Sequence, residues 1–159
     1  MPRRVETAEA ETHAGLVGKL LSNLQTLEFL MRLYLVGPDE LGFEMFSLKT
    51  GDRVPSGPMT NYDSLDQVRR RYNEHVAPEE RVSDWNVTLR DALAHGRLVS
   101  NQPAGPMRLF KFDRPATDGS VLVLQSWTLD EDWLGEQVQN ASDDIDRVRR
   151  ALEESGTAT

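Results

Sequence analysis

Apolar side chains at Val17, Leu20, Leu24, Leu27, Met31 and Tyr34 recur at alternating steps of three and four, and this seam constrains the fold more than any other feature of the chain. Steps of that size return to one side of an α-helix, so the spacing predicts one long helix over residues 8–36. Leu16, Leu21, Leu30 and Leu33 widen the apolar face beyond a single stripe, so the helix must touch more than one neighbour. It reads as the central helix of a bundle; the same seam would also serve a dimer, and the two roles are compatible. "GPDELG" (37–42) ends it, with Gly37 suited to the C′ position and Pro38 unable to continue a helix. The most apolar stretch, "FLMRLYLV", is short and interrupted by Arg32, so no membrane span is expected.

Downstream, "TGDRVPSGP" lies in a loop over 43–60, with a short strand expected at Phe43–Leu48. Ser64 and Gln67 form a capping-box pair that opens a second helix running to about His75, with Leu65, Val68 and Tyr72 as its apolar face. Pro78 suits the first turn of a third helix or a short turn leading into one; that helix is expected from about Ser83 to Leu98. "NQPAGP" (101–106) is a loop. "MRLFKFDRP" and "SVLVLQSWT" flank "ATDG" and predict a β-hairpin at 107–128 that turns around Asp118-Gly119. Thr128 with Glu131 predicts a second capping box and a final helix over 129–155, with a break near Asn140, before a frayed tail at 156–159. The expected fold is therefore mainly α. It is one domain (1–159), a helical bundle of four to five helices with its core at about 8–100 and a β-hairpin inserted before the last helix.

With 38% hydrophobic and 28% charged residues, the chain can build a globular core. It has no cysteine, which excludes disulfides, thiolate metal sites and a cysteine nucleophile and is compatible with a reducing cytoplasm. "MPRRVETAEAE" has no apolar run behind its arginines, so no signal peptide is expected. A net charge of −8 opposes broad non-specific binding to nucleic acid. The charge is uneven, however. Residues 128–159 hold nine acids and three arginines, whereas residues 61–114 hold eight acids and nine Lys or Arg. A small basic site fits the balanced segment.

That segment contains "LRDALAHGR" (89–97). On a helix, Trp85, Leu89, Ala92, Leu93 and Gly96 form the core face, and Asp91 and His95, four residues apart, share one flank. Arg90 lies on the other flank. Five residues correspond to roughly 140° around the cylinder, so Arg90 and His95 of one helix do not converge unaided. A second copy could supply the missing half, and the small residues Ala92, Ala94 and Gly96 would admit another helix at close range. An imidazole that titrates near neutrality can move a proton at a ribose hydroxyl or a leaving oxygen, and a guanidinium can grip the phosphate. A surface His bonded to a neighbouring Asp explains the same residues without any chemistry.

The stretch "LRDALAHG" resembles the signature of the HEPN superfamily of small helical-bundle proteins, an Arg followed by a polar residue and, after four to six intervening positions, a His. Arg90, Asp91 and His95 match it. The long helix with "LSNLQTLEFLMRLYL" and the helix with "SLDQVRRRYNEHV" extend the resemblance over roughly residues 10–100. It implies a metal-independent endoribonuclease, of the kind found in toxin–antitoxin and defence systems, that dimerises so that two motifs meet in one cleft. His95 would be the general acid/base, Arg90 the phosphate clamp and Asp91 the group orienting His95. Arg97, Tyr72 and Arg69 would contact substrate. No metal or cofactor is expected; the expected partners are RNA, a second copy and an antitoxin-like protein. The loop at 37–60, the hairpin and the acidic C-terminal segment depart from a minimal bundle.

Other constellations are weaker. His13, His75 and His95 are too scattered for a zinc site, and no HExxH, glycine-rich phosphate loop or nucleophile elbow is present. The arginines at 69–71 point in three directions on a helix and read most simply as a solvated face. Asn73 is as well placed for a cap as for a cleft, and Trp85, Trp127 and Trp133 read as core. The alternative function is a non-catalytic interaction protein that uses its acidic C-terminal helix to contact a partner.

Overall fold

The computed structural model describes residues 8–37, 45–99 and 107–156. Among these, helices α1 (Ala8–Val36), α2 (Leu65–His75), α3 (Trp85–His95) and α4 (Glu131–Glu154) accompany strands β1 (Arg97–Val99), β2 (Met107–Phe112) and β3 (Val123–Leu129). The strands form an antiparallel sheet in the order β1-β2-β3. A helical bundle decorated by a hairpin is therefore the wrong fold class: the described residues combine four helices with a true three-stranded sheet. The expected hairpin is present as β2–β3, but β1 adds to its free edge, with Arg97 opposite Phe110 and Val99 opposite Arg108. The segment taken for the end of the third helix is that strand, because the helix stops at His95.

The chain resolves into two compact units. One comprises α1 up to Ser22 together with Trp85–Asn140; the other comprises Asn23–Asp84 and the chain from Ala141 onward. In the first unit, Leu20, Leu89, Ala92, Leu109, Leu129 and Leu134 are buried. Trp85 packs edge-on against Trp127, with ring centroids 6.0 Å apart, and its Nε1 donates to Gln137 Oε1 at 2.6 Å. The indole thus packs its apolar body while its N–H finds a partner.

In the second unit, Leu24, Leu27 and Met31 of the predicted seam are buried with Val68, Tyr72, Ile145 and Val148. Arg32 is only 8% exposed and ties α1 to the loop before α2. Its guanidinium donates to Glu28, to the carbonyl oxygens of Pro58 and Asp63, and to Asn61 Oδ1, at 2.7–3.0 Å. A buried charge needs such full pairing. Asn73 closes the chain after α2 by exchanging two 2.9 Å hydrogen bonds with the Val82 backbone.

Helix ends follow local chemistry. Ser64 and Gln67 form the reciprocal capping box on α2, and Gly37, at φ 80°, follows the last turn of α1. Pro78 opens a 3₁₀ turn (Pro78–Glu80), the short-turn alternative. Met45–Ser47 is another 3₁₀ turn, where a strand was expected over 43–48; residues 43 and 44 lie outside the described residues. Helix α4 runs unbroken through Asn140, and its cap is Asp130, whose Oδ1 accepts from the Trp133 N–H at 2.8 Å. Thr128, the expected cap, sits in β3 opposite Arg108, where sheet pairing holds it away from the helix end. Pro38 and 157–159 of the expected tail lie outside the described residues.

Candidate functional site

Helix α3 buries Leu89 and Ala92 and leaves its opposite side open. The geometry expected from helical spacing follows: Arg90 is exposed, and His95, with a side chain 69% exposed, stands on the flank that carries Asp91. His95 Nε2 lies 3.8 Å from Asp91 Oδ1, which is ion-pair range but too long for a hydrogen bond. Asp91 instead forms a close ion pair with Lys111, which β2 presents from the side of the sheet that faces α3. Lys111 was not a candidate in the sequence, since a strand twenty residues downstream supplies it. Its ammonium competes with His95 for the carboxylate.

The turn after the motif depends on Gly96. An ideal Cβ there would lie 2.3 Å from the Ala92 carbonyl oxygen and 2.7 Å from that of Phe110. The close neighbour expected beside this small residue was another helix; the neighbour present is strand β2 of the same chain. Arg97 accordingly leaves the helix. It heads β1, is exposed, and its guanidinium donates to the carbonyl oxygens of His95 (3.1 Å) and Gly96 (3.2 Å) at the α3 C-terminus. A cation there meets the negative end of the helix dipole.

The remaining expected contacts serve the fold. Tyr72 is completely buried in the second unit; its hydroxyl donates to the Glu80 carbonyl oxygen at 3.2 Å, and its ring stands edge-on to Tyr34. Burial pushes its phenol well above the ordinary range. A side chain so enclosed offers nothing to a substrate. Arg69, also in the second unit, pairs with Asp66 at 2.9 Å, and this hydrogen bond is the main cause holding the Asp66 carboxyl below its usual value. Arg70 and Arg71 pair with Asp66 and Asp63.

The outward side of β2 carries residues that no sequence motif marks. Alternation in "MRLFKF" places Arg108, Phe110 and Phe112 on one face, and that period of two was the available signal. The Arg108 guanidinium lies 4.7 Å from the Phe110 ring centroid.

Among the described residues, no group of three or more His, Asp or Glu is gathered so as to hold a metal ion, and no helix is long and apolar enough to cross a membrane. No family model matches the chain, and it has no match among curated proteins or solved structures.

Proposed function

We propose that the chain is a metal-independent endoribonuclease of HEPN type, acting in the cytoplasm as a toxin or defence factor. One observation carries this reading: an exposed imidazole at His95 shares α3 with an exposed Arg90 and has a carboxylate, Asp91, 3.8 Å away. In this scheme His95 takes the proton of the ribose 2′-hydroxyl or returns one to the leaving 5′-oxygen, and Arg90 steadies the phosphate as its charge grows. Asp91, beside the ring, is the group assigned to orient it. Arg90 and His95 diverge around the helix, so the working site pairs α3 of two copies, and an antitoxin-like partner would cover it.

The test is RNA cleavage in EDTA. His95→Ala should lower the rate roughly 10²–10⁴-fold, the usual contribution of a general acid/base, and Arg90→Ala should lower it comparably. Cleavage that survives both substitutions removes the site. A second reading, a binding protein without catalysis, is favoured by the Lys111–Asp91 ion pair, which draws the carboxylate away from His95. Intact RNA, together with a stable basic protein bound to the acidic C-terminal helix, would select it.

A further inference from the structure

The sheet of the first unit has two unlike faces. Leu109 and Leu129 are buried on the side of α3, and Trp127 meets Trp85 there. Residues directly opposite one another in antiparallel strands share a face, so the register puts Arg97, Arg108, Phe110, Ser126 and Thr128 together on the other side. Phe112 lies there too, 45% exposed, and Arg97, Arg108, Ser126 and Thr128 are exposed. Phe110 and Phe112 are 6.3 Å apart with planes inclined by only 24°, and Arg108 lies over Phe110 while donating to Ser126 Oγ at 2.7 Å. A guanidinium and two near-parallel rings thus form a row along the central strand. The three strands contain no Asp or Glu, in a chain of net charge −8.

We propose that this open sheet face binds a single-stranded segment of RNA, with bases stacked on Phe110 and Phe112 and phosphates held by Arg97 and Arg108. It deepens the RNA reading above and rests on it. Every base has a π-face, so ring platforms bind single strands with little regard to sequence, while a duplex keeps its bases stacked on one another. Charge decides against a second copy as the occupant. A two-fold contact would bring this face against itself, arginine toward arginine, with no acid on the strands to pair them. Arg97 joins the platform to the motif helix: it lies opposite Phe110 and donates to the carbonyl oxygen of His95. Arg97 therefore places one cation of the platform two residues from His95 in the chain, at the C-terminal end of α3.

The test is fluorescence anisotropy with a labelled single-stranded oligouridine, alone or annealed to its complement, alongside cleavage in EDTA. Wild-type protein should bind the single strand and discriminate against the duplex. Phe112→Ser and Arg108→Gln should each weaken binding about tenfold or more; Arg149→Gln, on α4, should not. Arg108→Gln removes an exposed charge and its contacts with Phe110 and Ser126 but no buried side chain, so it carries the test should Phe112→Ser fail to fold, as judged by circular dichroism. Absence of wild-type binding, equal affinity for duplex, or unchanged affinity in both sheet variants would overturn the platform. So would a wild-type dimer that Phe112→Ser converts to monomer without RNA being bound, since the face would then belong to a second copy. Sheet variants that bind and cleave normally, with cleavage lost in His95→Ala, sink the platform and keep the nuclease. Binding lost in the sheet variants of a protein that cleaves nothing keeps the platform and sinks the nuclease.

Discussion

At Gly96 the backbone leaves no space for even a methyl group, because two carbonyl oxygens lie 2.3 and 2.7 Å from the position a Cβ would take. Gly96→Ala should therefore destabilise the protein by roughly 1–3 kcal/mol, the usual range for overpacking where backbone must move, measured by urea unfolding. Unchanged stability would mean that the α3–β2 approach is looser than described. The sequence marked Gly96 as a small residue on a core face; it could not say that strand β2 would fill the gap. Tyr72 makes a second prediction at this scale. Its phenol ionises more easily unfolded, near its ordinary 10.0, than folded, where burial raises it. A raised folded value contributes stability that is fully present below pH 10 and is lost as pH climbs above it. Stability should fall with rising pH in that window, and Tyr72→Phe should flatten the fall even though it loses the hydrogen bond to Glu80. Equal alkaline slopes in both proteins would show that the ring is not enclosed. Tyr72 lay on a predicted apolar face, so its burial was legible, and the same periodicity spoke against a role in substrate binding.

Among the elements, the signals carried by neighbours in sequence were readable and those carried by distant partners were not. The α1 seam, the α2 capping box and the β2–β3 hairpin all follow from residues within a few positions of one another. Strand β1 has only three residues, Arg97–Val99, and in sequence they continue a helical pattern; pairing with β2 converts them to strand. The cap of α4 gives the matching error. Both Thr128 and Asp130 are good cap residues, and sheet pairing removes the first from contention. Asp130→Ala should accordingly cost about 1 kcal/mol of stability and Thr128→Ala distinctly less, compared by thermal denaturation. The reverse ranking would restore the Thr128–Glu131 box.

For the whole molecule the decisive property is where charge sits. The chain is acidic overall, yet its three strands carry Arg97, Arg108 and Lys111 and no acid. Two arginine–phosphate contacts on a single strand predict a slope of about −1.4 for log affinity against log salt, and Arg108→Gln should reduce it by about 0.7. A slope near zero would mean that stacking alone holds the strand; a much steeper one would mean that cations beyond the sheet take part. A count of residues 61–114 revealed the balanced charge of this region but could not sort Lys111 toward Asp91 from Arg108 toward solvent, because a single-residue step in a strand reverses the side.

By itself the sequence determined what neighbouring residues decide through periodicity and local hydrogen bonding: the long α1 helix, the capped α2, the turn at Asp118-Gly119, and a helix presenting Arg90, Asp91 and His95 around its open sides. Tertiary structure alone decided that α3 ends in a strand, that Lys111 takes Asp91, that Tyr72 and Arg69 are committed to the second unit, and that two rings and two arginines share an open sheet face. Those outcomes depend on strand register and on contacts between residues far apart in the chain, which are set only when the competing partners of each group meet in the folded protein.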